Sequence, residues 1–315
     1  MRFDRLPSSF FSIVLGLVGL GGIWRLATRL WGLPAPVGEA IIALSCAIWV
    51  VLAVAFVLRH LRHPDDLAAE LAHPIQCCFW GLAFVATLLL VPGVRPYSMA
   101  AAWAFFAVGI VGHVGFVIWR VGSLWQGGRP AEAMTPVLYL PLVAGNFASA
   151  IACASLGLHD LGLLFLGAGL FSWLAIESTV WMRLFAHESM APAVRPLLGI
   201  QLAPSVVGLV AYLSLQPGPL PVFAYALMGY GLLQYLVLLR LMPWFAVSWF
   251  SPAWWAFSFG VTAAAGAAML MVINGAGGVM IPIGVVLFAL ANVAILILAV
   301  ATVRFVAREA RAPAQ

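Results

Sequence analysis

Apolar residues run through this chain in long unbroken stretches, not in strict alternation or one-sided stripes. Ten stretches reach the about 20 residues that a helix needs to cross a lipid bilayer. They cover approximately 8–30, 37–60, 74–93, 97–120, 136–157, 160–184, 196–215, 220–243, 252–273 and 278–304. Turn and breaker signals separate them, among them Gly32-Leu33-Pro34-Ala35-Pro36, Gln126-Gly127-Gly128-Arg129-Pro130, Gln216-Pro217-Gly218-Pro219 and Asn274-Gly275. No connection is long enough to hold a further domain. The pattern predicts an all-α integral membrane protein, one unit over residues 1–315, built of ten transmembrane helices in five hairpins. A membrane barrel would instead show short alternating segments.

The odd-numbered stretches begin alike. Pro7, Pro74, Pro141, Pro204 and Pro252 mark their starts, 67, 67, 63 and 48 residues apart. That spacing is one helical hairpin repeated five times. Pro7, Pro74 and Pro252 suit a first turn, whereas Pro141 and Pro204 lie deeper and should kink their helices. Odd stretches are also rich in small residues, such as Gly16, Gly19, Gly21 and Gly22 in the first and Ala263 to Ala268 in the ninth. Even stretches carry bulk, as in Leu232 to Leu241. Small residues permit close helix packing. Combined with kinking prolines and a fivefold alternation, they point to an inner ring of odd helices around a narrow central pore, with even helices facing lipid. Every hairpin keeps one orientation, unlike the inverted repeats of many carriers.

Composition removes the soluble alternative. Hydrophobic residues make up 64% of the chain and charged residues 8%, where a soluble domain is about a quarter charged. The net charge of +5 comes from 15 basic residues, all Arg. They stand singly at stretch ends, which excludes a nucleic-acid patch and reads as a topology signal. With both termini inside, Arg2, Arg5, Arg59, Arg62, Arg120, Arg129, Arg183, Arg195, Arg240, Arg304, Arg308 and Arg311 fall on the inner side. Arg25, Arg29 and Arg95 fall outside. Both ends are therefore expected in the cytoplasm. Trp24, Trp31, Trp125, Trp244 and Trp249 lie near stretch ends, where an aromatic belt belongs. The first stretch outruns a signal-peptide core and lacks a clear cleavage site, so it is read as a span.

Candidate chemistry is sparse. Cys46, Cys77, Cys78 and Cys153 sit within apolar runs and read as small packing residues. His60, His63 and Asp65 read as a solvated loop before a metal site, and His159-Asp160 lacks a nucleophile. Without clustered catalytic groups or a phosphate-binding Gly loop, neither an enzyme nor an ATP-driven pump is expected, and no cofactor is called for. His113 and Glu177 lie within even spans and read first as hydrogen-bonded or interfacial polar groups; for Glu177 an Arg such as Arg240 and a subunit contact are the further alternatives. Asn146 on the fifth span is a pore-lining candidate or an interhelical bond. The odd spans hold almost no central cation, so an anion pore here would select weakly, through helix dipoles and a basic cytoplasmic rim.

Several stretches resemble the bacterial tellurite-resistance TehA family, whose relatives include plant guard-cell slow-type anion channels and malate transporters. They are Leu124-Trp125-Gln126-Gly127-Gly128, Tyr139-Leu140-Pro141 through Asn146-Phe147, His159-Asp160-Leu161-Gly162 with Gly167-Ala168-Gly169, and Trp255-Ala256-Phe257-Ser258-Phe259-Gly260. The resemblance implies ten helices in a quasi-fivefold ring, a homotrimer with one pore per subunit, and residence in a bacterial inner membrane. It places the family's gating Phe at Phe259. Further pore-lining candidates are Phe10, Val14, Pro141, Asn146, Pro204, Phe257 and Gly260. The mid-helix Pro that relatives carry in the first helix is missing from Ser12-Ile13-Val14-Leu15-Gly16. The implied activity is passive conduction of small anions such as chloride or nitrate. The alternatives are a carrier of C4-dicarboxylates such as malate and a tellurite exporter.

Overall fold

The computed structural model describes residues 6–128, 130, 133–247 and 250–311. Readings placed on Arg2, Arg5, Arg129, Trp249 and the Arg311 side chain lie outside the described residues. Ten helices are long and apolar enough to cross a membrane. They are α1 (Ser8–Trp31), α2 (Ala35–Arg62), α4 (Gln76–Val94), α5 (Met99–Trp125), α6 (Pro136–Leu156), α7 (His159–Ala186), α8 (Pro192–Leu215), α9 (Val222–Phe245), α10 (Pro252–Ile273) and α11 (Met280–Arg311). A short helix, α3 (Pro64–Ala72), lies between α2 and α4. It occupies a segment whose sequence suggests a solvated loop. Its polar first turn, Asp65 and Asp66, favours a helix N-terminus, and Glu70 on its last turn pairs with Arg59 of α2.

The expected division into two shells is present. Between 61% and 83% of the apolar stretch is buried in α1, α4, α6, α8 and α10, against 22–39% in α2, α5, α7, α9 and α11. The inner five close a ring: α1 packs on α4, α4 on α6, α6 on α8, α8 on α10, and α10 back on α1. Each outer helix packs on the inner helix it follows in its hairpin and leans toward the next one round the ring. Large apolar side chains of the outer shell, such as Val111, Leu164, Phe171 and Leu296, face outward, as a lipid solvent requires.

Local chemistry explains the hairpins. Gly32 and Gly157 end α1 and α6 in the left-handed region, at φ 67° and 77°, where other residues are disfavoured. After α6 the Leu158 amide donates back to the Cys153 carbonyl, which satisfies a carbonyl the helix end would leave open. At their other end, all five inner helices open with a tight 3-10 segment: Ser8–Phe10, Gln76–Gly81, Pro136–Leu138, Pro192–Leu202 and Pro252–Trp255. The expected Pro141 distortion takes the form of a π turn over Leu140–Ala144, a local widening typical of functional helices. Pro204 stands just past the change from 3-10 to α geometry in α8. Helix α1 is regular from Phe11 to Trp31, in keeping with its missing mid-helix Pro.

Candidate functional site

The ring encloses two cavities, one above the other. The entry cavity, at the 3-10 ends of the inner helices, has a volume of about 40 Å³, room for a few water molecules at most. The hairpin-end cavity measures about 310 Å³. Each takes side chains from all five inner helices. Phe259 and Val207 belong to both linings, so the Phe259 ring sits where the two cavities meet.

Four residues of α10 around it, Phe257, Ser258, Gly260 and Thr262, explain that position. A Cβ at Gly16 would lie 2.6 Å from Ser258, and one at Gly19 would lie 2.3 Å from the Thr262 hydroxyl. Helix α1 therefore presses closely on the Ser258–Thr262 face. On the next side, a Cβ at Gly260 would lie 2.9 Å from Leu202, and one at Gly199 would lie 2.6 Å from the Phe257 ring. That face meets α8. At 3.6 residues per turn each step rotates about 100°, so residue 259 projects between the two contacts. Ser258 also donates to the Trp255 carbonyl at 2.7 Å, and Thr262 to the Ser258 carbonyl at 2.9 Å. Their hydroxyls are thus satisfied inside an apolar wall.

Among the other candidates, Pro204 lines the entry cavity. Phe10, Val14, Pro141, Asn146, Phe257 and Gly260 are absent from both linings. Val14 is fully buried, and its carbonyl accepts from Ser45 of α2 at 3.3 Å. Phe257 lies against the Phe245 and Trp254 rings. Asn146 turns toward α5: its Oδ1 accepts from His113 Nε2 at 3.3 Å and its Nδ2 donates to the Leu142 carbonyl at 2.6 Å. Of its two readings, the interhelical bond is the one that forms. Gly145 is what admits the His113 ring, since a Cβ there would fall 2.1 Å from it.

Glu177 takes its hydrogen-bonded reading and does not pair with Arg240. Glu177 instead accepts from Tyr139 at 2.5 Å, Trp173 at 2.7 Å, Trp181 at 2.8 Å and Gln201 at 2.8 Å, and from the Tyr230 hydroxyl. Five neutral donors from α6, α7, α8 and α9 replace the cation. Arg240 is exposed. His60 also departs from a solvated loop: its Nδ1 meets the Phe56 carbonyl at 2.6 Å, and its Nε2 accepts from Trp80 at 3.1 Å. Among the described residues no group of three or more His, Cys, Asp or Glu could hold a metal ion.

Two charged features escaped the sequence reading. At least one arginine stands near the C-terminal end of every outer helix, and Arg59, Arg120, Arg183, Arg240 and Arg304 recur 61, 63, 57 and 64 residues apart. This collar gives the basic rim a fivefold form, and the spacing was there to be read. Cations at helix C-termini also offset the dipole, so part of the collar's role is structural. The second feature is Arg25. It lines the hairpin-end cavity, whereas the sequence reading placed it as an outer topology signal. Its position inside the first apolar stretch, six residues before Trp31, was the available clue, because intramembrane charges are functional candidates by default. Beyond the membrane-spanning stretches, hydrogen bonding to Glu39 raises the Tyr97 phenol above its ordinary pKa.

Residues 5–303 match the family model described as a voltage-dependent anion channel (SLAC1). A tellurite resistance protein TehA homolog of Haemophilus influenzae is 33% identical over 299 residues, covering 95% of this chain and 90% of that protein. The S-type anion channel SLAH3 of Arabidopsis thaliana is 24% identical across 65% of this chain and 34% of its own length, so the chain spans about a third of that plant relative. An uncharacterized transporter of Methanocaldococcus jannaschii is 24% identical over 72% of each chain.

Proposed function

The chain belongs to the voltage-dependent anion channel family, and from that premise we propose that it is a passive pore for small monovalent anions, plugged by Phe259. The observation that carries this reading is the sharing of Phe259 by both cavity linings. An aromatic ring in a narrow apolar tube blocks ions sterically and disfavours a continuous water column. Conduction then follows removal or rotation of one side chain.

The cavity chemistry favours monovalent permeants such as chloride or nitrate. Among the described residues no charged side chain lines the entry cavity. A dicarboxylate would bring two charges into that apolar space, at a desolvation cost of several kcal/mol per charge without a paired cation. Small monovalent anions carry half that burden. The five inner-helix N-termini lie at the entry mouth, where helix dipoles are positive, and the arginine collar adds to the attraction. In this reading the collar faces the cytoplasm, both termini lie inside a bacterial inner membrane, and three copies assemble with one pore each.

Purified protein in liposomes tests the transport mode. A pore gives chloride and nitrate influx that rises in proportion to the gradient and is driven by an imposed potential. Saturating uptake with accelerated exchange against internal malate or tellurite would make the protein a carrier instead.

A further inference from the structure

Among the described residues lining the two cavities, Arg25 alone is charged. Its guanidinium is tied on several sides. Nε and Nη2 donate to the two Glu39 oxygens at 2.8 and 2.7 Å. Nη1 donates to the Pro92 carbonyl and Nη2 to the Gly93 carbonyl, each at 3.0 Å. The Tyr97 hydroxyl donates to Glu39 at 2.6 Å, holding the carboxylate from its far side. Three inner-shell and outer-shell elements thus meet at one cation: α1 supplies it, α2 supplies the counter-charge, and the end of α4 supplies carbonyls. Both charged side chains retain accessible surface, 26% for Arg25 and 33% for Glu39.

A lone cation at a pore mouth acts on passing ions as a monopole. With a carboxylate bonded bidentately against it, the same cation acts as a dipole, whose field dies away faster with distance. The pair therefore sets a weak anion preference where the arginine by itself would set a strong one. We propose that Arg25 is the anion-selecting group of the hairpin-end mouth and that Glu39 attenuates it. Carbonyls of α4 hold the guanidinium at the wall, so loss of Glu39 leaves the cation in place with its field uncovered. The inference rests on the anion-pore reading given above.

The test uses the full-length protein in planar bilayers in the Phe259→Ala background, with reversal potentials measured across a KCl gradient. Glu39→Gln is expected to raise the chloride-to-potassium permeability ratio by about threefold or more at low salt. The gain should shrink toward 1 M salt, where the screening length falls to about 3 Å. Arg25→Gln should lower the ratio, because it leaves Glu39 as an uncovered anion, Arg25→Lys should restore it, and Arg25→Gln/Glu39→Gln, with neither charge, should fall between Arg25→Gln and Glu39→Gln. Lysine keeps the charge without the forked bonding, so a ratio in Arg25→Lys as low as in Arg25→Gln would make Arg25 a tether and overturn the proposal. Unchanged ratios in Glu39→Gln and Arg25→Gln, with current present, would overturn it too while leaving the pore reading intact. No anion current in the Phe259→Ala parent would remove the pore reading itself, and this proposal with it.

Discussion

Glu177 shows how far single residues can be read before their neighbours are known. Its place in an apolar span marks it as a group that needs partners. From sequence a hydrogen-bonded group is the first reading and an Arg such as Arg240 a second partner, but the donors themselves are not named by it. The chain surrounds the carboxylate with hydroxyl, indole and amide donors, drawn from residues 38 positions before it to 53 after it. Each is an ordinary residue at its own position, so the hub is invisible until the helices are packed. Removing the acceptor strands these donors, at about 1–3 kcal/mol for each one left buried and unpaired. Glu177→Leu should therefore unfold at clearly lower temperature in detergent than wild type. Glu177→Gln, which keeps one acceptor oxygen, should fall between them. Equal melting temperatures for the three proteins would show that the hub contributes nothing to stability.

At the scale of the helix, the repeat was legible and its details were not. Proline spacing and small-residue content separated inner from outer helices, because both are local properties of the sequence. Pro141 lies in a π turn over Leu140–Ala144, whereas Pro204 stands in the first turn of a regular α segment, so proline alone does not dictate the local geometry. The clamp on α10 is a matter of pairing. Gly16 and Gly19 were evident as small residues, but only their apposition to Ser258 and Thr262 explains the direction in which residue 259 points. Gly260→Val puts branched bulk where even a bare Cβ would stand 2.9 Å from Leu202. Overpacking of this kind costs about 1–3 kcal/mol and pushes α10 away from α8. The variant should melt earlier than wild type and, because Phe259 moves with the helix, leak chloride in a liposome flux assay. A tight pore in a destabilised Gly260→Val protein would separate the clamp from the plug.

For the molecule as a whole, composition set the solvent and hydrophobic run length set the number of spans. The closed ring of α1, α4, α6, α8 and α10 follows from repeating one hairpin with one hand until it meets itself. Cavities are properties of that closure. Val14, Asn146 and Phe257 lie outside the two cavity linings, whereas Phe259 and Pro204 stand in them. The arginine collar is also a property of the ring: its members recur 57 to 64 residues apart in the chain, and closure of the ring sets that repeat on one rim. Arg240→Gln with Arg304→Gln, both exposed members, should reduce chloride current in the Phe259→Ala background at low salt and leave it nearly unchanged at 1 M, where charges more than about 3 Å apart are screened. The account stands most directly on single-channel and macroscopic current from purified protein in planar bilayers, wild type beside Phe259→Ala. It predicts that the alanine protein conducts at least about tenfold more than wild type, the effect of lowering a barrier by about 1.4 kcal/mol, with a reversal potential on the chloride side. Equal currents from the two proteins, or a current in Phe259→Ala that follows the cation gradient, would contradict it.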